Sequence, residues 1–123
     1  MICLDTNYLI RGLIQDSEES LELIQWHRQG EVLVTPMPVW YEFLCGPVDA
    51  VQIEAIRAFL AEIIPFGEIQ TVAAAELFTL TGRNRRLKID GMIAATAIRA
   101  NAALATDNKK DFKPFTKHGL TLI

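Results

Sequence analysis

Short apolar runs alternate with longer amphipathic stretches along the chain, and this alternation predicts its secondary structure. The runs are too short for helices and are largely apolar, so they predict buried β-strands. They lie at residues 2–4, 31–34, 63–66, 103–105 and 120–123. Pro65 cannot donate a backbone hydrogen bond, and it therefore favours an edge position for the third of these strands.

The amphipathic stretches carry apolar residues at helical spacing and predict six helices. They cover residues 7–14, a stretch from Leu21 that ends before Gly30, Pro38 to Gly46, 49–62, 70–81 and 90–101. Strands that alternate with helices predict an α/β fold, in which a parallel β-sheet is flanked by helices on both faces. A length of 123 residues fits one domain, residues 1–123.

The cysteines and the lengths of the apolar segments indicate the cellular compartment of the protein. Cys3 and Cys45 both lie in apolar runs, so we expect buried free thiols in a reducing environment. No basic segment precedes the first predicted strand, as a secretory signal would require. No apolar segment approaches the roughly 20 residues that a membrane span needs. These features predict a soluble, cytoplasmic protein without a membrane partner.

The net charge of −3 conceals an uneven distribution along the chain. Residues 1–82 contain three basic and twelve acidic side chains, a net charge of −9. Residues 83–123 contain nine basic and three acidic side chains, a net charge of +6. A basic region of this kind suits a polyanionic ligand, although charge alone favours an ordinary solvated face.

Four acidic residues interrupt or border apolar segments: Asp5, Glu42, Asp90 and Asp107. Burying an ionised carboxylate costs several kcal/mol unless it is paired or binds a metal. Asp5 and Asp107 follow predicted strands, and ligands of parallel sheets collect at the carboxyl ends of strands. Glu42 and Asp90 would extend to the same edge from helices. We therefore expect the four carboxylates to form one cation site.

Oxygen ligands favour Mg²⁺ or Mn²⁺, and the absence of nearby cysteine and histidine ligands argues against zinc. Such ions support hydrolysis of a phosphodiester. Thr6 and Thr106 are candidates to orient the carboxylates by hydrogen bonds. Each acid alone also has a structural explanation. Asp5 could cap a helix, the helix dipole could stabilise the charge of Asp90, and Asp107 could start a turn. Only their combination indicates a site.

The sequence resembles the PIN domain, particularly the small VapC-type toxin ribonucleases. The resemblance covers nearly the whole chain in order, through Leu4–Asn7, Glu42–Leu44 with Gly46, Asp90–Ala97, and Thr106–Asn108 with Asp111 and Phe112. It implies cleavage of RNA with Mg²⁺ or Mn²⁺, a homodimer, and a paired antitoxin protein that blocks the site. The family usually places its last ligand two residues after the threonine, where this chain has Asn108. The fourth role is therefore open between Asp107, Asn108 and Asp111.

Contacts to RNA are expected from the basic side chains near the acids. These are Arg83, Arg85, Arg86, Lys88 and Lys109, with Lys110 as a further candidate. Phosphate contacts of this type supply affinity and not sequence choice. The aromatic residues Trp26, Trp40, Tyr41 and Phe59 are expected to fill the core or a dimer interface and not to stack on bases.

Other functions are compatible with parts of this pattern. The same fold could serve an RNA-processing nuclease without an antitoxin, or a catalytically inactive binding module. A phospho-receiver also uses acids at strand ends, but Asp5 lacks a second acid two residues later and no late lysine ends a core strand.

A cluster of carboxylates also strains the metal-free fold. The sequence therefore predicts that Asp5→Asn or Asp90→Asn melts no lower than wild type without metal.

Overall fold

Four short parallel strands form the centre of the computed structural model, which describes residues 1–123. The strands are β1 (Ile2–Leu4), β2 (Leu33–Pro36), β3 (Glu62–Ile64) and β4 (Ala103–Ala105), and their order in the sheet is β3-β2-β1-β4. The helices are α1 (Thr6–Arg11), α2 (Glu18–Arg28), α3 (Met37–Cys45), α4 (Ala50–Arg57), α5 (Glu68–Leu80), α6 (Lys88–Arg99) and α7 (Lys109–Phe112), with 3₁₀ segments at Arg85–Leu87 and Lys113–His118. The predicted α/β fold with a parallel sheet is confirmed.

The core forms where the sheet meets the alanine face of α6, which packs against β2 and β4. Ile2, Cys3 and Leu4 are all buried, as expected for a central strand. Ala94, Ala95 and Ala97 of α6 are fully buried. Small side chains allow α6 to lie close to the sheet. Asp90 in the first turn of α6 lines the same cleft as Asp5, which follows β1.

Two predicted elements differ from the structure: the helix at 49–62 and the C-terminal strand. The helix predicted at 49–62 ends at Arg57, because the backbone N–H of Ala61 already donates to the Leu33 carbonyl at 2.7 Å. That bond turns the chain into β3, which lies at the edge of the sheet as Pro65 indicated. The final segment makes only a single bridge from Leu122 to Leu104 and is not a strand.

The short helix α7 and the 3₁₀ segment after it were not predicted. Their apolar content is small, but Phe112 and Phe115 are buried and their ring centroids lie 6.2 Å apart. These two rings anchor the basic C-terminal segment to the core. No helix has the length and apolar character that a membrane crossing requires.

The two cysteines lie in different environments. Cys3 is buried in β1, as expected, but the expectation was wrong for Cys45, which is exposed. Cys45 lies in the last turn of α3, on a face that borders a cleft and not the core.

A thiol reagent should therefore modify one cysteine in the native protein and two in denaturant. Burial, and to a lesser extent the nearby Asp5 carboxylate, raises the pKa of Cys3 far above its ordinary value, so Cys3 has little thiolate to react. Counting modified thiols by mass spectrometry checks this expectation, with Cys45→Ser as the control that leaves no reactive thiol. Rapid native labelling of both cysteines would contradict the described position of β1.

Candidate active site

The carboxyl ends of β1 and β4 place Asp5 beside Thr106. The two strands pair in register from Ile2 with Ala103 to Leu4 with Ala105, and the Asp5 backbone N–H continues the ladder by donating to the Ala105 carbonyl at 3.1 Å. The Thr106 hydroxyl then donates to Asp5 Oδ2 at 2.7 Å. Asp5 is only 6% exposed and Thr106 only 1%, so this hydrogen bond is buried.

Helix α1 begins at Asp5 and connects it to α3. Asp5 is the N-cap of α1, and its Oδ1 accepts a hydrogen bond from the Thr6 backbone N–H at 2.8 Å. The Thr6 hydroxyl donates to Glu42 Oε2, also at 2.8 Å. Asp5 is therefore a helix cap, as the purely structural interpretation predicted. The next residue, Thr6, connects it to Glu42.

Asn7 adds a contact that the sequence did not single out. Its side-chain N–H groups lie 3.4 Å from Asp5 Oδ2 and 3.5 Å from Thr106 Oγ1, and its Oδ1 accepts from the Asp107 backbone N–H at 3.2 Å. Asn7 therefore joins the start of α1 to the loop after β4. The sequence signals were its place two residues after Asp5 and its inclusion in the segment Leu4–Asn7, which carries the family resemblance.

Asp90 approaches from the first turn of α6 and faces the same cleft. Its carboxylate makes no hydrogen bond to another residue. Burial raises the pKa of Asp90 to about 6, the nearby Asp5, Asp111 and Glu42 carboxylates add to this, and only the Arg86 guanidinium opposes it. The carboxyl group of Asp90 is therefore a destabilised anion when no cation is near.

The pKa of Asp5 is raised as well. Burial is the main cause, and repulsion from Glu42 adds to it. The hydrogen bonds from Thr106, Thr6 and Asn7 lower the pKa but do not cancel the effect of burial. Two carboxyl groups on the same cleft are thus both harder to ionise than ordinary aspartates, which is a pattern typical of functional sites.

These residues border an open cleft of about 930 Å³. Its polar lining comes from Asp5, Thr6, Asn7, Glu42, Asp90 and Asn108. Its apolar lining comes from Ile10, Met37, Pro38, Tyr41, Phe66, Ile89, Met92 and Ile93, together with Cys45. Three of the four predicted acids, Asp5, Glu42 and Asp90, therefore share one cleft.

The fourth predicted acid lies elsewhere. Asp107 is exposed and does not line the cleft, and its Oδ2 is 3.9 Å from Arg11 Nε. The next residue, Asn108, does line the cleft, and its backbone N–H donates to Thr106 Oγ1 at 3.0 Å. Neighbouring residues in this loop thus point in different directions. Of the three candidates for the fourth role, Asn108 is the one that the fold brings to the cleft.

Asp111 orients the side chain of Asn108 by a hydrogen bond. The Asn108 side-chain amide donates to Asp111 Oδ2 at 3.0 Å, and Arg86 Nη1 lies 3.2 Å from Asp111 Oδ1. These two contacts hold the pKa of Asp111 below its ordinary value. Arg86, which was expected to contact RNA, is therefore engaged with Asp111, while Arg83, Arg85, Lys88, Lys109 and Lys110 are exposed on the surface.

The donor chemistry of the cleft fits a hard divalent cation. Every polar side-chain group that lines it, in Asp5, Thr6, Asn7, Glu42, Asp90 and Asn108, offers an oxygen. No three acidic, cysteine or histidine side chains lie close enough together to bind one ion directly. Mg²⁺ commonly uses one or two carboxylates and keeps several waters, so this spread-out oxygen set suits a hydrated ion.

The raised pKa of Asp90 leads to a prediction about metal-free stability. A folded-state pKa of about 6 against an ordinary 3.8 means that the folded state binds the proton more tightly. The protonated Asp90 carboxyl group therefore stabilises the folded state. This contribution to the free energy of unfolding is fully present below pH 4 and is lost as the pH rises through 6. Because Asp90 is only half buried, we expect its ionisation to lower the free energy of unfolding by about 1 kcal/mol, or the Tm by roughly 3–5 °C.

In EDTA at pH 7, the Tm of Asp90→Asn should therefore exceed that of wild type by roughly 3–5 °C, and the difference should vanish near pH 4. Asp5→Asn should not show the gain, because its amide would face the Thr106, Thr6 and Asn7 donors. Thermal melts of both variants at the two pH values check this. An equal or lower Tm for Asp90→Asn at pH 7 would mean that Asp90 has a structural role.

The comparisons with known proteins identify the family and the fold. A PIN-domain family model matches residues 2–117, and the chain belongs to the PIN-domain family. The fold is similar to VapBC2 from Rickettsia felis bound to a promoter DNA fragment, with a TM-score of 0.73, 23% identity, and coverage of 100% of this chain and 98% of that chain. No curated protein matches the sequence.

Two further solved structures have the same fold. A toxin–antitoxin complex from Klebsiella pneumoniae gives a TM-score of 0.72 at 24% identity, with coverage of 91% of this chain and 90% of that chain. DNA-bound VapBC from Salmonella typhimurium gives a TM-score of 0.72 at 16% identity, with coverage of 99% and 96%. At these identities the likeness establishes the fold.

Proposed function

We propose that the protein is a metal-dependent endoribonuclease that hydrolyses RNA phosphodiester bonds as the toxin of a type II toxin–antitoxin pair. The observation that carries the proposal is the shared cleft of Asp5, Glu42 and Asp90, which come from a strand end and two separate helices. The raised pKa of Asp5 and of Asp90 supports it, since both anions would be stabilised by a divalent cation.

Asp5, Glu42 and Asp90, together with Asn108, would hold a hydrated Mg²⁺ or Mn²⁺ ion, in part through the waters that the ion keeps. When bound, such an ion supplies an activated water and neutralises charge on the leaving oxygen. Asn108 takes the fourth position in this proposal in place of Asp107, because Asn108 lines the cleft and Asp107 lies beside Arg11. Asp111 keeps the amide of Asn108 oriented through their 3.0 Å hydrogen bond.

The chain's own residues fix the carboxylates before substrate arrives. Thr106 and Asn7 orient Asp5, and the Thr6 hydroxyl holds Glu42 Oε2. That contact leaves Glu42 Oε1 free of protein hydrogen bonds, as an acceptor for a proton from the attacking water. Preorganised groups of this kind need no rearrangement during the reaction.

The exposed basic side chains just before α6 and at its first residue would bind the RNA backbone. Arg83, Arg85 and Lys88 precede Asp90 by two to seven positions and lie on the surface. Such contacts are electrostatic and weaken with salt. Arg86 contributes less directly, because its guanidinium is bound to Asp111.

An antitoxin partner and a homodimer belong to the same proposal. Structures with this fold include toxin–antitoxin complexes, and two of those cited are bound to DNA. Helix α5 presents an exposed apolar stripe of Ile69, Val72 and Leu80 that would suit a second copy of the chain. Co-purification with the product of a neighbouring small reading frame, and light scattering of the purified chain, test the two partners. We also propose that the protein acts in the cytoplasm.

RNA cleavage by the purified protein tests the enzymatic part. We expect cleavage with Mg²⁺ or Mn²⁺, its loss in EDTA, and its recovery when the ion is restored. A DNA oligonucleotide of the same sequence serves as the control substrate. Cleavage that persists in EDTA, or no cleavage under any condition by protein freed of partners, would contradict the proposal and favour an inactive binding module.

A further inference from the structure

Two cationic side chains lie beside one aromatic ring where α5 ends and α6 begins. The guanidinium carbon of Arg83 is 5.5 Å from the centroid of the Phe78 ring, and the ammonium nitrogen of Lys88 is 5.3 Å from it. Both distances fit cation–π contacts. Because both charges lie within 5.5 Å of the same point, they are separated by at most about twice that distance. These three residues, which we call the Phe78 corner, concentrate positive charge at one place on the surface.

No acidic side chain neutralises the two charges. Neither Arg83 nor Lys88 forms an ion pair, although the nearby Arg86 pairs with Asp111. Phe78 is half-buried, but it belongs neither to the core cluster nor to the partly buried apolar residues that pack against that cluster. The closest identified contacts of its ring are therefore the two cations, and the core does not account for an aromatic residue at this position.

The backbone after α5 also ties Arg83 to Phe78. The Arg83 backbone N–H donates to the Phe78 carbonyl at 2.8 Å. Gly82 and Arg83 both have positive φ, 87° and 59°, and this left-handed conformation is costly for an arginine. Because a backbone hydrogen bond and a side-chain contact join the same two residues, the fold itself determines where the Arg83 charge lies.

We propose that the Phe78 corner binds backbone phosphates of a nucleic acid strand outside the acidic cleft, and that Phe78 is the positioning residue that holds the two cations for this contact. The inference rests on the proposed nuclease function and adds a second contact region for its substrate. None of the three residues lines the cleft. Two neighbouring cations without acidic partners suit phosphodiester groups, each of which carries a negative charge.

The position of Lys88 favours the RNA substrate over an acidic segment of a partner protein. Lys88 is the first residue of α6, and Asp90, two positions later, lines the cleft. In an α-helix the Cα atoms of such residues are about 5 Å apart. A strand with one phosphate at Asp90 therefore needs only a few nucleotides to reach Lys88. Its outer phosphates then meet positive charge, whereas the cleft itself contains only carboxylates among its charged groups.

Binding of a labelled 12-nucleotide RNA, measured by fluorescence anisotropy at several salt concentrations, tests the inference. An Asp90→Asn background keeps the RNA intact. Each phosphate contact to a single strand contributes about 0.7 to the salt slope of log K, or about fivefold in affinity at 0.1 M salt relative to 1 M. We expect Arg83→Ala and Lys88→Ala each to lower the slope and the affinity by these amounts. Arg28→Ala removes an exposed charge from α2 and should change neither.

The role of Phe78 is tested by keeping the charges and changing the ring. Phe78→Leu keeps an apolar side chain without a π face and should weaken RNA binding by about three- to fivefold, whereas Phe78→Tyr should stay within about 1.5-fold. In protein that also carries Arg83→Ala and Lys88→Ala, Phe78→Leu should have no further effect, because the ring acts only through the two cations. An undiminished effect in that background would show a merely structural role and would overturn the positioning.

Two further arms define the kind of contact. In protein with an intact cleft, Phe78→Leu should raise KM and leave kcat within about twofold, as the loss of uniform binding does. A DNA strand of the same sequence should lose affinity by the same factors as RNA, because both strands carry the same phosphates. A loss confined to RNA would contradict a phosphate site.

The outcomes separate this inference from the nuclease proposal. If the wild type cleaves RNA but Arg83→Ala and Lys88→Ala change neither the affinity nor its salt slope, the inference is overturned. If these variants bind RNA normally but lose a co-purifying protein, the corner binds a protein partner and the inference is likewise overturned. If RNA binding depends on the Phe78 corner but the wild type never cleaves, the corner stands as a nucleic acid site and the nuclease proposal fails.

Discussion

Replacing Asp5 or Asp90 by asparagine should reduce metal-dependent RNA cleavage by at least about 100-fold, which corresponds to roughly 2.7 kcal/mol of transition-state stabilisation. Each variant removes one anionic oxygen from the cleft while keeping the shape of the side chain. The loss should appear as a fall in kcat at saturating Mg²⁺ or Mn²⁺. Single-turnover cleavage of a labelled RNA measures it.

Asp107→Asn is the matched control for this experiment. Asp107 lies two residues from the end of β4, in the same loop as Asn108, but its carboxylate is beside Arg11 and outside the cleft. We expect Asp107→Asn to retain activity within about threefold. If it fell as far as Asp90→Asn, Asp107 would hold the fourth position after all, as the sequence alone allowed.

Thr106→Val should reduce cleavage by about 10- to 100-fold, because residues that orient a ligand commonly have effects of that size. Valine keeps the shape of the threonine side chain but removes the 2.7 Å hydrogen bond to Asp5 Oδ2 and the acceptor for the Asn108 backbone N–H. Both the Asp5 carboxylate and the Asn108 loop should then lose their fixed orientation.

Thr96→Val separates this effect from a loss of stability. Thr96 is also fully buried, but its hydroxyl donates to the Met92 carbonyl within α6 and makes no contact to the cleft. The two variants should have similar melting temperatures and very different activities. Comparable activities at comparable stability would show that Thr106 does not position the site.

Much of the arrangement could be predicted because its signals are local. Asp5 follows a short apolar strand and Asp90 lies in the first turn of an alanine-rich helix, so their places at one edge of a parallel sheet follow from the order of elements. The fold class follows from the same alternation of strands and helices. These predictions depend on element order and not on side-chain detail.

The remaining features depend on tertiary contacts that no local pattern encodes. Asp107 and Asn108 are neighbours after a strand, and the hydrogen bond from the Asp107 N–H to Asn7, 100 residues away, helps to decide which one faces the cleft. Helix α3 is apolar on nearly every face, so its pattern could not show that Tyr41 and Cys45 are exposed. Arg86 meets Asp111 only through folding.

The most direct test of the shared cation site is a crystal structure of the protein soaked with Mn²⁺, with diffraction data collected to reveal anomalous scattering from manganese. The account predicts an anomalous peak in the cleft within about 2.5 Å of carboxylate oxygens of Asp5 and Asp90 in the wild type, and its loss in Asp90→Asn. A fully occupied peak beside Asp107 and Arg11, or a cleft that binds no manganese in the wild type, would contradict it.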